Sequence, residues 1–287
     1  PGKPGKPVVP DVPGYKPYLP DPKDPSKPGQ PVEPGKELPN LPTNPGEDTP
    51  IIYVPIVNDV KKPTKQTVKF EGAGDKTPAD KVQDDFTFTG KVNKADGSTT
   101  WTEKSHTYGK VSVPVIPGYY ADKTEAGGKT VTPENPEATD TVTYKPLGNL
   151  VPKPGTPDDP NFPSTPGVKY PNDPTDPTKP GQPVVPDVPG YEPHLPDPND
   201  PTKPGQPIQP GTPVTPDKPG EDTPIIYVPK TNDVTQPTKQ TVTFEGAGST
   251  TPKDDVQSDY TFTGKKNQAD GTTTWTENSH TYGRESV

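Results

Sequence analysis

The 287-residue sequence contains no cysteine, so neither disulfide bonds nor thiolate metal sites can form. Hydrophobic residues make up 23% of the chain, and adding glycine raises the share to about 32%. Ordinary globular domains have about 45–50% on that count. No apolar run of about 20 residues is present, so we expect no membrane insertion of this stretch. These absences exclude a single large core and a disulfide scaffold.

Positive charge is also scarce, because 30 Lys and Arg residues face 39 Asp and Glu residues, a net charge of −9. Residues 56–146 carry 13 of each sign and are neutral. Nucleic-acid binding needs a basic surface against the phosphates, so we expect no nucleic-acid partner. An acidic glycan could not be attracted by net charge either, and its recognition would need hydrogen bonds and ring stacking.

Proline and glycine are abundant instead, with 51 prolines and 27 glycines, about 27% of the chain. Residues 1–55 and 146–229 hold 43 of the prolines, often at every third position, as in the eight from Pro198 to Pro219. A polyproline II helix has three residues per turn. The spacing therefore predicts extended proline-rich rods at 1–55 and 147–229, with a disordered tether as the alternative.

The sequence repeats itself after about 175 residues. TPIIYVP occurs at 49–55 and again at 223–229, and PVVPDVPGY occurs at 7–15 and again at 183–191. We therefore divide the chain into the segments 1–55, 56–146, 147–229 and 230–287. The last segment has no counterpart of residues 114–146, so we expect a second domain truncated at its C-terminal part.

Polar and apolar residues alternate in the segments with few prolines, as in Val68 and Phe70 or Phe86 and Phe88, which is typical of half-buried strands. The sequence Ala95-Asp96-Gly97 reads as a hairpin turn rather than a calcium loop. The expected fold class is mostly β: small β-grasp-like domains in tandem repeat, separated by long extended proline-rich linkers.

The proline-rich segments also echo the second half of the 56–146 domain. PDVPGY at 10–15 parallels PVIPGY at 114–119, and EDTPIIYVP at 47–55 parallels TDTVTYKP at 139–146. One interpretation is that they are degenerate half-domains in which residues 51–54 form a strand. The other is convergent low complexity.

Catalysis has little support in the sequence. The histidines are His106, His194 and His280, the first and last being one position of the repeat, and no nucleophile stands at a motif spacing. We expect no enzyme activity, no cofactor and no metal site. Aromatic residues with polar tips are better candidates for ligand binding, because flat rings stack on sugars. The candidates are Tyr120, Trp101, Tyr108, Trp275 and Tyr282.

Two of these candidates have a second interpretation. Trp101 also fits a core position in so small a domain. Tyr120 follows Tyr119, a turn residue beside Gly118, and should face the opposite side as an exposed contact.

Several motifs carry a family resemblance. QTVKF at 66–70, FTFTGK at 86–91, VPVIPGYYADK at 113–123 and VTPENPEATDTVTY at 131–144 follow one another in a fixed order. In this the chain resembles the mucus-binding (MucBP, Mub-type) repeats of lactobacillal surface adhesins, in full over 60–146 and in part over 234–287. Gly90-Lys91 departs from the Thr-Arg that is usual in the family.

The resemblance implies non-catalytic binding of mucin glycans or other host glycoproteins by repeated modules that act through avidity. It implies an extracellular place on the cell wall of a Gram-positive bacterium, with immunoglobulin as a further partner. Leu41-Pro42-Thr43-Asn44 lacks the order of a sortase signal, so we expect the cell-wall anchor outside this sequence. The alternative is a structural stalk that projects a separate adhesive head.

Overall fold

The computed structural model describes residues 5–38, 46–284 and 286, so the stretch 41–44 lies outside the described residues. Regular structure in the described part consists of β-strands and two short 3-10 turns, η1 (Gly74–Lys76) and η2 (Gly248–Thr250). None of its helices is long and apolar enough to cross a membrane. The mostly β fold class predicted from the sequence is confirmed.

The described residues fall into two compact units. The first lies within Pro1–Glu71, Pro78–Ser112 and Glu125–Val142, and the second lies within Gly72–Thr77, Val113–Thr124 and Thr143–Val287.

The strands of residues 5–148 alternate with tight turns. In chain order they are β1 (Tyr15–Asp21), β2 (Asp24–Pro31), β3 (Ile52–Pro55), β4 (Val57–Pro63), β5 (Lys65–Glu71), β6 (Lys81–Gln83), β7 (Thr87–Asn93), β8 (Thr99–Trp101), β9 (His106–Thr107), β10 (Lys110–Ser112), β11 (Tyr119–Ala121), β12 (Glu125–Gly127), β13 (Thr130–Val131) and β14 (Glu137–Pro146).

Residues 149–284 continue with ten further strands. They are β15 (Asn149–Pro154), β16 (Val168–Lys169), β17 (Tyr191–Pro196), β18 (Pro204–Pro207), β19 (Thr223–Pro229), β20 (Thr231–Pro237), β21 (Gln240–Val242), β22 (Asp255–Gln257), β23 (Thr261–Asn267) and β24 (Thr273–Trp275).

The first unit contains two three-stranded sheets, with strand orders β2-β1-β3 and β4-β7-β8. Strands β6, β5 and β14 are neighbours in a further sheet, and β9 pairs with β13 and β10 with β12. One hydrophobic cluster of this unit, which we call the aromatic core, consists of Phe88, Tyr108 and Val131. Phe86, Trp101 and Ala138 pack against it. The strands that carry Phe88 and Trp101 belong to the β4-β7-β8 sheet, which carries the site described below.

The second unit is built around a five-stranded sheet with the order β16-β15-β19-β17-β18. Strands β15 and β19 are parallel, and the other neighbours are antiparallel. The sheet buries Leu150, Tyr191, Ile225 and Tyr227, each 1% exposed or less. In the same unit β20, β23 and β24 repeat the pairing of β4, β7 and β8 at positions 174 residues later.

The prediction of extended polyproline II rods is wrong for the described residues. Residues 147–229 hold the five-stranded sheet, and residues 15–31 with 52–55 form the β2-β1-β3 sheet. Polyproline II and β backbones occupy neighbouring φ/ψ regions, so proline at every third position does not exclude strands. The apolar residues between the prolines decide the outcome, because Val185, Val188 and Tyr191 are buried together. Missing proline N–H groups leave irregular pairing, with register shifts between β1 and β2 and between β17 and β18.

The strand pairs of the proline-rich segments match one in the second half of the 56–146 domain, as the half-domain interpretation expects. Tyr15, Tyr119 and Tyr191 each follow a glycine, and each lies opposite the proline that ends a neighbouring strand: Pro55, Pro146 and Pro229. In each case the tyrosine N–H also bonds the carbonyl three residues earlier, at 3.0 Å. The same turn and strand pair therefore occur three times in the chain.

Candidate ligand-binding site

Trp101 ends the edge strand β8 of the β4-β7-β8 sheet. Its partner across the sheet is Gly90 on β7, and Val60 on β4 lies opposite Gly90. A Cβ placed on Gly90 would lie 2.9 Å from the indole Cε3 of Trp101 and 2.6 Å from the carbonyl oxygen of Thr100. The indole therefore lies directly over the backbone of Gly90. A side chain on residue 90 would occupy the space that the indole now fills.

The buried edge of this indole is anchored in the aromatic core. Its ring centroid lies 6.3 Å from that of Phe88 in a tilted edge contact, and Phe88 is fully buried. Trp101 itself is half-buried. One side of the ring therefore packs on the core, as one sequence interpretation expected, and the other side borders an open groove. Contact with a ligand stays a prediction.

The groove has a volume of about 400 Å³, and polar side chains stand at the margins of a mostly apolar lining. On one wall the hydroxyls of Thr89 and Thr102 lie 3.3 Å apart, and on the other Lys91 Nζ donates to Asp59 Oδ1 at 2.7 Å. This hydrogen bond, with the charge of Lys91, holds the pKa of Asp59 below its usual value. The carboxylate is therefore ionised at neutral pH and balances Lys91, while Lys61 adds a second ammonium to the groove.

A second depression borders the same indole. It has a volume of about 410 Å³ and shares Thr100 and Trp101 with the groove, and its other walls come from Lys104, Pro133 and Glu134. An aromatic plane between two shallow openings, surrounded by hydroxyls and charged groups, can stack on the C–H face of a sugar ring. The polar groups can then bind the ring hydroxyls. We call the residues of both depressions the Trp101 groove.

The β20-β23-β24 sheet carries a close copy of this arrangement. Trp275 lies across Gly264, whose added Cβ would meet the indole Cε3 at 2.8 Å. Lys265 Nζ donates to Asp233 Oδ1 at 2.6 Å. Trp275 is 36% exposed. The copy has Thr235 at the position of Lys61, which removes one positive charge.

Two of the predicted contact residues are engaged in packing. Tyr108 is 4% exposed, and its hydroxyl lies 2.7 Å from the hydroxyl of Thr64. It therefore belongs to the core, and the prediction that it stacks on a ligand is not supported. Tyr282 is half-buried and its hydroxyl lies 2.6 Å from that of Thr238, the equivalent contact in the second copy.

Tyr120, the preferred contact from the sequence, lies in the second unit. It pairs with Lys145 across the β11–β14 ladder and is half-buried. A Cβ placed on Gly220 would lie 2.8 Å from its hydroxyl oxygen, so the phenol packs against the backbone of the proline-rich segment. One side of this ring is therefore covered by the chain itself.

Residues 57–148 match the family model of the Muc B2-like domain. We call residues 57–148 the Muc B2-like domain. The resemblance to mucus-binding repeats predicted from the sequence motifs is thus confirmed for this segment, which contains the Trp101 groove.

Solved structures similar to the chain include a MucBP domain of LBA1460 from Lactobacillus acidophilus. It is 27% identical, covers 32% of this chain and 99% of its own, and has a TM-score of 0.24. The mucin-binding domain of Spr1345 from Streptococcus pneumoniae is 20% identical and covers 32% and 97%, with a TM-score of 0.27. The type 2 repeat of the mucus binding protein MUB from Lactobacillus reuteri is 20% identical and covers 46% and 76%, with a TM-score of 0.27. No curated protein matches the chain.

The histidines of the Muc B2-like domain and its copy serve packing. His106 stacks on Phe86 with ring centroids 3.9 Å apart, and His280 stacks on Tyr260 at 3.7 Å. His194 lies elsewhere, with Nδ1 2.9 Å from the carbonyl oxygen of Gly205. Among the described residues, no group of three or more His, Cys, Asp or Glu could hold a metal ion.

Sequence reasoning found the tryptophan of the Muc B2-like domain but missed its surroundings. Gly90, Thr89 and Lys91 come from β7, and Asp59 comes from β4, 42 positions before the tryptophan. The available signal was the Gly90-Lys91 departure from the family pattern, which recurs as Gly264-Lys265 with the second tryptophan. Only the strand register shows that this glycine makes room for the indole.

Proposed function

We propose that the chain is part of a Gram-positive cell-surface adhesin. In this proposal the Muc B2-like domain binds mucin or other host glycoproteins at the Trp101 groove, without catalysis. The observation that supports it most is the half-exposed indole over Gly90, flanked by threonine hydroxyls and the Asp59–Lys91 pair. The family match of residues 57–148 supports the same ligand class. An extracellular location on the cell wall follows from that assignment.

The proposed binding is weak at each groove and gains strength by repetition. Both depressions are shallow and open, so a single sugar would bury little surface there. The copy at Trp275 repeats the exposed indole over a glycine and the Lys–Asp pair, and in this proposal it is a second binding site on the same chain. Two weak sites on one molecule raise the apparent affinity for a multivalent glycoprotein through effective concentration.

The test is binding of the full chain to immobilised purified mucin. Trp101→Ala and Trp275→Ala should each weaken binding, and the double variant should weaken it more than either alone. The matched control is Val82→Ala, an exposed apolar side chain at 55% exposure outside both grooves. Unchanged binding of the double variant would remove the groove as the site, and no binding by the unmodified chain would remove the function. Tyr120→Ala tests the alternative contact, and immunoglobulin can serve as a separate immobilised ligand.

A structural stalk is the second candidate, and one observation favours it. Residues 116–121 are hydrogen-bonded directly to residues 172–177 of the following segment, as an array that transmits force would require. Replacing residues 57–146 by an unrelated β domain distinguishes the two functions. A stalk keeps adhesion after this exchange, whereas an adhesive repeat loses it.

A further inference from the structure

The sequence Pro-Gly-Tyr occurs at residues 13–15, 117–119 and 189–191. Its glycine has a φ of +84°, +86° and +83° respectively, a left-handed conformation that only glycine adopts without strain. Each turn opens a strand that pairs with a strand ending in Tyr-x-Pro, in the same register. Three such identical arrangements indicate a common task.

The glycine carbonyl of each turn accepts a hydrogen bond from the first residue after that strand pair. The N–H of Ile56 donates to Gly14 at 2.8 Å, and the N–H of Lys230 donates to Gly190 at 2.8 Å. In the middle turn the N–H of Leu147 donates to Gly118 at 3.0 Å. Each turn therefore binds the first residue of the segment that follows.

The following segment also returns to pack on the turn. At the first turn, a Cβ on Gly14 would lie 2.6 Å from Cα of Ala95, in the β7–β8 hairpin turn, and Lys94 N–H donates to the carbonyl of Ile56 at 2.8 Å. At the third turn a Cβ on Gly190 would lie 3.0 Å from Cα of Ala269. An added Cβ would clash with this backbone at Gly14 and would be crowded by it at Gly190.

The middle turn uses a side chain for the same purpose. Asn172 Oδ1 accepts the N–H of Gly118 at 2.8 Å, and its Nδ2 donates to the carbonyls of Ile116 at 3.0 Å and Tyr119 at 2.7 Å. Two backbone hydrogen bonds flank this amide. The N–H of Ala121, on the edge strand β11, donates to the carbonyl of Pro177 at 2.7 Å. The N–H of Gly148 donates to the carbonyl of Pro219 at 2.9 Å. Asn172 thus satisfies three backbone groups of one turn at once.

We propose that the Pro-Gly-Tyr turn is a joint that docks the next module of the same chain, so that neighbouring modules are coupled in stability rather than joined by a free linker. The partner surface is a tight hairpin turn at two joints and the Asn172 amide at the third. The first joint holds the hairpin whose second strand ends in Trp101. The inference does not depend on the ligand of the Trp101 groove.

Hydrogen exchange of the full chain tests the middle joint. Asn172→Ala removes the hydrogen bond to Gly118 directly, so faster exchange of the Gly118 amide alone does not distinguish coupling from the loss of that one bond. The decisive amides are Ala121 and Gly148, whose acceptors are Pro177 and Pro219. Coupling predicts that both exchange about tenfold faster or more, because three hydrogen bonds of the joint are lost.

The controls separate a lost joint from a lost fold. The Val185 amide, bonded to Thr212 inside the proline-rich module, should keep its exchange rate in the variant. Asn161→Ala removes an exposed amide of the same module and should change none of these rates. If Asn172→Ala unfolds the module, Asn172→Asp keeps the acceptor and removes both donors. Unchanged exchange at Ala121 and Gly148 in a folded variant would overturn the proposal.

A glycine pair tests the first joint. Gly14 and Gly211 share a φ of +84°, but a Cβ on Gly211 meets nothing within 4 Å. Both alanine variants therefore carry the same backbone strain, and only Gly14→Ala pushes against Ala95. We expect faster exchange of the Lys94 and Gly97 amides in Gly14→Ala alone. Equal effects of the two variants on these amides would contradict the joint.

Discussion

The hydroxyl of Tyr144 donates to the carbonyl of Pro114 at 2.7 Å and so ties the last residues of β14 to the start of the segment that leads into the Pro-Gly-Tyr turn. Tyr227 makes the same bond to Pro186 at 2.6 Å, and Tyr53 makes it to Pro10 at 2.7 Å. Because both partners come from equivalent positions of the three modules, this bond closes the loop between the two strands of every joint.

Loss of this hydroxyl should destabilise the module in which it is most deeply buried. Tyr227 is fully buried, so Tyr227→Phe leaves the Pro186 carbonyl without its partner and should lower the free energy of unfolding by about 1–2 kcal/mol. Tyr53→Phe is the matched control, because Tyr53 is half-buried and water can replace the lost donor. Urea denaturation followed by circular dichroism measures both. An equal or larger effect at Tyr53 would show that burial does not set the strength of this bond.

Alkaline pH should act on the same tyrosines. Burial raises the pKa of Tyr144 and of Tyr227 to about 12, from an ordinary value of 10.0. Above pH 10 the unfolded chain releases these protons while the folded chain keeps them, so the stability they contribute is complete below pH 10 and is lost as pH rises toward 12. Denaturation midpoints measured between pH 9 and 12 should fall less steeply in Tyr227→Phe than in the unmodified chain. Parallel curves for the two proteins would show that Tyr227 does not titrate in this range.

The proline-rich segment 147–229 should behave as a folded module. Ile225 on β19 is fully buried between strands β15 and β17, so Ile225→Ala should cost about 2–5 kcal/mol of unfolding free energy. Its equivalent in the first segment, Ile51, is half-buried and should cost less when truncated. Thermal unfolding of both variants provides the measurement. A rod in the polyproline II conformation would show no loss at either position.

Alternation in the sequence predicted the strands that bury Val68 and Phe70 on β5 and Phe88 on β7. It did not predict the many short strands between them and residue 144. The sequence was insufficient for residues 147–229, because a proline period of three is compatible with both polyproline II and β backbone. Contacts between residues far apart in the sequence decide between the two backbones. One example is the parallel β15–β19 ladder, in which Leu150 lies opposite Thr223. Such pairing leaves no local pattern. The same limit applies to Tyr108, whose sequence neighbours are polar although its own side chain is buried against residues far along the chain.

A buried glutamine should be essential to the Muc B2-like domain. Gln66 is fully buried, its Nε2 donates to the carbonyl of Gly109 at 3.0 Å and to the side chain of Gln83, and its Oε1 accepts the N–H of Lys129 at 2.7 Å. Gln66→Leu leaves these backbone groups unpaired and should cost about 1–3 kcal/mol or more.

Gln240 is the equivalent residue of the second copy and is half-buried. Gln240→Leu should therefore cost less, and urea denaturation of the two variants gives the comparison. If Gln66→Leu is as stable as the unmodified chain, water or a rearranged loop must replace the amide.

Gly90→Ala should disturb the Trp101 groove without removing any of its chemical groups. The new methyl would lie 2.9 Å from the indole and 2.6 Å from a strand carbonyl, so the tryptophan must move away from β7. We expect a shift of its fluorescence and weaker mucin binding, measured in a Trp275→Phe background, because the chain then holds Trp101 as its single tryptophan. Gly109→Ala is the control, since Gly109 has no left-handed φ and its added Cβ would meet only Gln83 Nε2, at an ordinary 3.6 Å. Fluorescence that shifts while binding stays constant would place the ligand elsewhere, because a displaced indole cannot keep the same stacking surface.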